Sequence, residues 1–223
     1  MAEDKKKVLC LHGYSMDAVW LTEWCDDIQP HLSGIELIIP NAPVPVPEQE
    51  VRGMAKRFNM AIPEWRIGEG KNWCWYRATD DKPPVYQQID TSFDMLETLF
   101  KEQGGFDGIL GWSQGAVMAA ILAALYLKNN DQRYQVNWLV LAGGFRPGDQ
   151  RFRAYFDESL NLPSLHVTGE KESSFMQQQG DRLASSFVDA QRLTTPVGHI
   201  FPLKYPEYMR KIAEWMNQQS SML

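Results

Sequence analysis

Cysteine is scarce in this 223-residue sequence, and its few copies lie far apart. Cys10, Cys25 and Cys74 form an odd set without the short spacings that a zinc or iron–sulfur site requires. We therefore expect neither a disulfide framework nor a metal site. Sparse cysteines of this kind are typical of reduced thiols, and they favour a cytoplasmic location.

Positive charge and long apolar runs are also lacking. The 22 Lys and Arg residues are outnumbered by 28 Asp and Glu residues, which gives a net charge of -6. The basic run Lys5–Lys7 is too short to form the positive stripe of a nucleic-acid-binding protein. No apolar run reaches the ~18 residues that cross a membrane, and Val8–Leu11 is too short for a signal peptide. We expect neither a nucleic-acid partner nor a membrane span.

What remains is typical of a globular protein, with 44% hydrophobic and 22% charged residues. Short apolar runs alternate with segments of helical periodicity, and continuous apolar runs suit strands that are covered on both faces. The order predicts one α/β domain over residues 1–223, a doubly wound and mostly parallel sheet flanked by helices. The predicted strands are residues 7–11, 35–39, 108–110, 137–141, 164–168 and 191–195.

Helices are predicted between these strands. The first begins after a cap at Ser15 or Asp17 and ends near Leu32. The others cover residues 85–100, the residues that follow Ser113, residues 173–188 and residues 205–219. Residues 48–84 show no strong period, and a long irregular segment of this kind is typical of a lid or a substrate-binding insertion.

The strongest local signal is Gly111-Trp112-Ser113-Gln114-Gly115, which lies between a short apolar strand and an Ala-rich helix. Strand, G-x-S-x-G and helix together form the nucleophile elbow of α/β-hydrolases. The turn is so tight that a Cβ at either glycine would collide with a neighbouring element. The sequence predicts that Ser113 presents a nucleophilic hydroxyl above the sheet.

A serine hydroxyl needs a base within hydrogen-bonding distance. Of the four histidines, His199 alone lies in a loop after both the serine and a candidate acid, in the chain order that α/β-hydrolases use. The acid is expected in the loop after strand 164–168, where Glu170 and Glu172 compete. We prefer Glu172 and keep Glu170 as the alternative.

An oxyanion hole requires backbone N–H groups that point to the developing charge. One is expected from Gln114, at the start of the helix. The other is expected from Tyr14, in a loop that His12 and Gly13 shape after the first strand.

These motifs together resemble the FSH group (family of serine hydrolases) of small α/β-hydrolases. The resemblance lies in residues 11–14, in residues 106–116, in Gly198-His199-Ile-Phe-Pro and in the aromatic run Asn72-Trp-Cys-Trp-Tyr76. It implies a serine carboxylesterase or thioesterase that uses no cofactor, with Ser113 as nucleophile and His199 as base. The family's acid is usually an aspartate three residues after a strand-ending glycine, and Glu172 stands at that place.

The expected substrate is a small-molecule acyl ester or thioester. Five apolar residues are candidates for the pocket that holds it: Trp73, Trp75, Tyr76, Phe145 and Ile200. Two other readings stay open. One is an acyl thioesterase or depalmitoylase that uses the same residues. The other is a non-catalytic binding protein with the same fold, which the glutamate in place of aspartate would suggest.

Overall fold

A computed structural model describes residues 5–57 and 62–222. Six of its strands form the central sheet and four shorter ones form two small antiparallel pairs. In chain order the strands are β1 (Lys6–Leu11), β2 (Ile35–Ile38), β3 (Val44–Pro45), β4 (Trp73–Cys74), β5 (Arg77–Ala78), β6 (Tyr86–Gln87), β7 (Gly108–Trp112), β8 (Trp138–Ala142), β9 (Ser164–Gly169) and β10 (Gln191–Thr195). The helices are α1 (Ala18–Cys25), α2 (Glu48–Arg57), α3 (Ile89–Gln103), α4 (Gln114–Asn129), α5 (Gln150–Arg153), α6 (Ser174–Ala184) and α7 (Pro206–Ser221).

The strand order in the sheet is β10-β9-β8-β7-β1-β2, and all neighbouring strands are parallel. The chain leaves β1 towards one edge and leaves β7 towards the other. The loops after these two adjacent strands therefore diverge, which opens a crevice at the carboxyl end of the sheet. Sites in open α/β sheets form at this position.

Both faces of the sheet are buried along its central strands β1, β7 and β8, which is why these strands read as continuous apolar runs. Alternate side chains of β1, β7 and β8 pack with α3, α4 and α6 on one face and with α1 and α7 on the other. Leu9 and Ile109 face the first layer, whereas Cys10 and Leu110 face the second. The predicted α/β-hydrolase architecture is confirmed.

Three helices differ from their predicted bounds. α6 ends at Ala184 and not at Val188. α1 ends at Cys25, and a separate 3-10 turn at Gln29–His31 follows it around Pro30. Asp17 caps α1, since its carboxylate accepts a hydrogen bond from the Trp20 N–H at 2.7 Å. α3 begins at Ile89 and not at Val85, because the preceding residues Tyr86–Gln87 pair with β5 and Gln88 is left-handed. None of the helices in the described ranges is long and apolar enough to cross a membrane.

The segment 48–84 is more regular than its sequence indicates, although residues 58–61 lie outside the described ranges. It contains helix α2 and a 3-10 turn at Glu64–Arg66. Its short strand β4 pairs with β3. The helical period was missed because α2 is mostly polar and Val51 is its fully buried side chain.

Helix α4 crosses closely over the loop that follows β1, and Gly115 makes this crossing possible. A Cβ at this residue would lie 2.1 Å from the Leu11 carbonyl oxygen. We expect Gly115→Ala to lower the free energy of unfolding by about 3 kcal/mol or more, since the overlap is with backbone and cannot be relieved by a rotamer change. Urea unfolding measures the loss.

Gly53→Ala is the matched control, because a Cβ there meets nothing within 4 Å in helix α2. It should leave stability unchanged or raise it by up to about 1 kcal/mol. Equal effects of the two substitutions would contradict the steric explanation.

Candidate active site

Ser113 occupies the turn between β7 and α4 in a strained conformation, with φ 51° and ψ -112°. Its N–H donates to the Ala142 carbonyl at 2.8 Å, which fixes the turn against β8. A Cβ at Gly111 would lie 2.5 Å from the Cα of Ala116, so the turn cannot open without breaking the contact between β7 and α4. These contacts direct the Ser113 side chain away from the helix and towards the crevice.

His199 lies against Ser113. Its Nε2 is 2.9 Å from the Ser113 Oγ, and its Nδ1 is 2.8 Å from Glu172 Oε1. The two ring nitrogens therefore connect the serine and the carboxylate in one hydrogen-bonded chain. One third of the His199 side chain is exposed, whereas 3% of the Glu172 side chain is.

Of the two glutamates that the sequence left open, Glu172 is the one at the imidazole, and Glu170 is exposed. The loop that carries them is held closely to the histidine loop. Lys171 N–H donates to the Val197 carbonyl at 3.0 Å. A Cβ at Gly169 would lie 2.4 Å from the Val197 and Gly198 carbonyl oxygens, so glycine is required there.

The imidazole of His199 is packed on one side by Trp112, with ring centroids 4.9 Å apart. Phe201 lies behind Trp112 at 5.2 Å. Gly143, which has a φ of 59°, approaches the ring so closely that a Cβ would lie 2.8 Å from His199 Cε1. Nothing in the local sequence around Gly143 indicates this contact, apart from its place at the end of a buried strand.

The two expected oxyanion donors lie at the ends of the adjacent strands β1 and β7. Gln114 N–H is at the first turn of α4, where the helix dipole adds positive potential. Neither Gln114 N–H nor Tyr14 N–H donates to an acceptor within residues 5–57 and 62–222.

His12 shapes the loop that carries Tyr14. Its Nε2 accepts a hydrogen bond from Ala42 N–H at 2.9 Å, so the proton sits on Nδ1, which donates to the Gly13 carbonyl at 2.8 Å. Burial lowers the pKa of His12 from 6.5 to about 4, which keeps the ring neutral. Gly13 is required because a Cβ there would lie 2.8 Å from the Trp112 ring.

The five side chains expected to line a substrate pocket divide into two groups. Trp75 and Tyr76 are fully enclosed in the core, at 0% and 2% exposure, so the structure does not support them as pocket residues. An aromatic run in an irregular segment has no period from which burial can be predicted, so the sequence does not distinguish pocket from core for these two residues. Trp73 and Phe145 are partly buried, and Ile200 is 55% exposed beside His199.

The fold and the serine at its sheet crevice define an α/β-hydrolase. Comparison with known proteins identifies the family: the serine hydrolase (FSH1) model matches residues 1–210. The chain belongs to this family, and the resemblance seen in its motifs is confirmed.

Individual relatives are similar over nearly their whole length. Human esterase OVCA2 is 30% identical over 217 residues, which cover 92% of this chain and 93% of that protein. Family of serine hydrolases 3 from Saccharomyces cerevisiae is 24% identical over 229 residues and covers 96% of this chain and 84% of its own. The crystal structure of acyl-protein thioesterase 2 from Zea mays aligns with a TM-score of 0.68 at 18% identity, covering 96% of this chain and 94% of that one. A similarity at that level of identity shows the shared fold.

The buried neutral state of His12 makes stability depend on pH. Its pKa is about 4 in the folded chain and about 6.5 when unfolded, so between these values the unfolded chain binds more protons. Stability is therefore fully present above pH 6.5 and is lost as pH falls towards 4, by on the order of 3 kcal/mol from His12 alone. His166, whose pKa burial lowers to about 3, acts with the same sign.

Urea unfolding at pH 7 and pH 4.5 measures this loss, and NMR of the His12 ring gives the folded-state pKa directly. A His12 ring that titrates near 6.5, or a free energy of unfolding that is unchanged at pH 4.5, would contradict the prediction.

Proposed function

We propose that the protein hydrolyses carboxylic acyl esters through an acyl-enzyme intermediate. Ser113 Oγ attacks the acyl carbonyl carbon while His199 Nε2 takes the hydroxyl proton. The imidazolium then gives this proton to the departing alcohol oxygen, which leaves the acyl group on Ser113. A water molecule, deprotonated by His199, releases the carboxylic acid, and Ser113 recovers its proton.

The observation that carries the proposal is the hydrogen-bonded chain from Ser113 through His199 to Glu172, with 2.9 Å and 2.8 Å between its polar atoms. Each distance lies in the range over which a proton is transferred or a ring is oriented. The buried Glu172 carboxylate would hold the Nδ1–H tautomer and stabilise the imidazolium. The exposed Glu170 offers neither contact.

A glutamate is one methylene longer than the aspartate usual in this family. Since Glu172 already lies 2.8 Å from the imidazole, its loop accommodates the added length. The departure from aspartate therefore gives no reason to prefer a non-catalytic protein. In this proposal the backbone N–H groups of Tyr14 and Gln114, which have no acceptor within the described residues, donate hydrogen bonds to the oxyanion of each tetrahedral intermediate.

A fluorophosphonate probe and a nitrophenyl ester test this assignment together. Ser113→Ala should abolish labelling, and His199→Ala should lower kcat for the ester by roughly 10⁴-fold or more, since serine and base act as a unit. Glu172→Gln should lower kcat by roughly 10³–10⁴-fold, because an amide favours the wrong imidazole tautomer.

Glu170→Gln is the matched control and should retain wild-type kcat. If Glu172→Gln and Glu170→Gln behaved alike, Glu172 would not be the acid. If the folded wild type resisted both this probe and a smaller one, the hydrolytic function itself would be wrong and a ligand-binding role would replace it.

We further propose that the acyl group is apolar. Two exposed apolar side chains flank the hydrogen-bonded chain in sequence: Ile200 follows His199, and Phe175 comes three residues after Glu172, at 55% and 64% exposure. Phe145 lies two residues after Gly143, which approaches the imidazole. An apolar chain that covered Ile200 and Phe175 would remove their surface from water, at about 25 cal/mol per Å².

The double variant Ile200→Ser/Phe175→Ser should therefore lower kcat/KM for an octanoyl ester by roughly 10-fold and leave that for an acetyl ester within 2-fold. Val188→Ser is the control, since Val188 is also exposed but precedes β10 and so lies at the amino end of the parallel strands, opposite the end that carries Glu172 and His199. Equal losses for both esters would contradict the apolar acyl site. Running each acyl group as an ester and as a thioester separates the esterase from the thioesterase reading.

A further inference from the structure

Trp75 contacts the elements that carry both amides proposed as oxyanion donors. Its backbone N–H donates to Gln114 Oε1 at 2.8 Å, and its indole Nε1–H donates to the His12 carbonyl at 2.8 Å. The first bond reaches the helix that bears the Gln114 amide. The second reaches the loop that bears the Tyr14 amide, two residues further along the chain.

Both polar atoms of the Gln114 side chain are hydrogen-bonded to residues 75–76. While Oε1 accepts from Trp75, Nε2 donates to the Tyr76 carbonyl at 2.8 Å. The residue is 6% exposed, so water does not compete for these bonds. A buried primary amide with both ends paired holds a fixed rotamer, and it fixes residues 75–76 against the first turn of α4.

The loop at residues 12–16 is held equally firmly by residues 72–75. Ser15 N–H donates to the Trp73 carbonyl at 2.8 Å, and Trp73 N–H donates to the Met16 carbonyl at 3.0 Å. Asn72 Nδ2 adds a hydrogen bond to the Ser15 carbonyl at 3.0 Å. Tyr14 thus lies in a short stretch whose neighbours on both sides are bonded to the same segment.

Within residues 5–57 and 62–222, no hydrogen bond joins the 12–16 loop to Gln114 directly. The strands β1 and β7 are in register up to Leu11 and Gly111, and their chains then diverge. The polar connection between the two amides therefore passes through Trp75, which is 0% exposed and lies 5.3 Å from the His12 ring.

We propose that Trp75 is a positioning residue that sets the separation of the Tyr14 and Gln114 N–H groups. This inference depends on the proposed hydrolytic function. In this proposal the buried segment 72–76 holds the loop of Tyr14 and the start of α4 at a fixed distance from each other. Because oxyanion donors act on the transition state, a shift in their separation lowers kcat and leaves substrate binding unchanged.

Trp75→Phe tests the proposal, since it removes the indole N–H and retains an aromatic ring beside His12. We expect kcat for a nitrophenyl ester to fall roughly 10- to 100-fold, less than when a donor is deleted, with KM within 3-fold. The affinity for an alkylboronic acid, which forms a tetrahedral adduct with the serine, should fall by a similar factor. The pH dependence of kcat should not move, because Ser113, His199 and Glu172 are unchanged.

Gln114→Met gives a second route to the same disturbance, since a methionine of similar length removes both the acceptor for Trp75 N–H and the donor to the Tyr76 carbonyl and adds no charge beside the oxyanion donors. It should show the same loss of kcat at constant KM. It decides the matter if Trp75→Phe does not fold.

Ser92→Ala is the matched control. Ser92 Oγ donates to the Trp75 carbonyl at 2.6 Å and is equally buried, but it lies on α3 and contacts neither donor loop. It should lower the Tm and leave kcat within 2-fold.

Equal losses of kcat in Ser92→Ala and Trp75→Phe would overturn the proposal, since the effect would then follow from general destabilisation. Unchanged kcat in both Trp75→Phe and Gln114→Met would also overturn it. Failure of the hydrolytic function has a different signature, namely a wild-type protein that the fluorophosphonate probe does not label.

Discussion

The close approach of helix α4 to strands β1 and β7 is the constraint on which the rest of the site depends. The backbone at Gly115 lies so near the Leu11 carbonyl that a single added carbon would overlap it, and Gly111 meets Ala116 in the same way. Two backbones in contact leave the connecting residue little freedom. Ser113 is therefore held in a backbone conformation that residues other than glycine rarely adopt. The free energy that this strain costs is offset by the burial of the first half of α4.

The other parts of the site are brought to this fixed serine by loops at the same end of the sheet. Glu172 follows β9 and His199 follows β10, and these two strands are parallel neighbours. Backbone contact between their loops sets the distance of the Glu172 carboxylate from the imidazole. This explains how a glutamate can stand where the family usually has an aspartate, because the position of the loop, and not the length of the side chain alone, decides the distance.

The aromatic residues in the segment between β2 and α3 have a structural role that the sequence does not indicate. From the sequence, these residues are predicted to line a pocket or form a lid. In the structure Trp75 and Tyr76 are core residues, and their polar groups form hydrogen bonds to both sides of the crevice. Burial in this case gives rigidity, since each hydrogen bond lies out of reach of water. Two exposed apolar side chains, Phe175 and Ile200, instead follow Glu172 and His199 closely in sequence.

The sequence by itself determined the fold class, the positions of the six central strands along the chain, and the place of Ser113 in the turn between a strand and a helix. These features depend on local periodicity and on tight turns that only glycine permits, which a single sequence records. Only the tertiary structure decided between Glu170 and Glu172, between Ser15 and Asp17 as the helix cap, and between pocket and core for Trp75. The positions of the two glutamates and of Trp75 depend on distances between segments far apart in the chain, and local patterns carry no information about such distances. The cap is a local contact to Trp20 N–H, but Ser15 is hydrogen-bonded to the distant Trp73 carbonyl, which the sequence does not record.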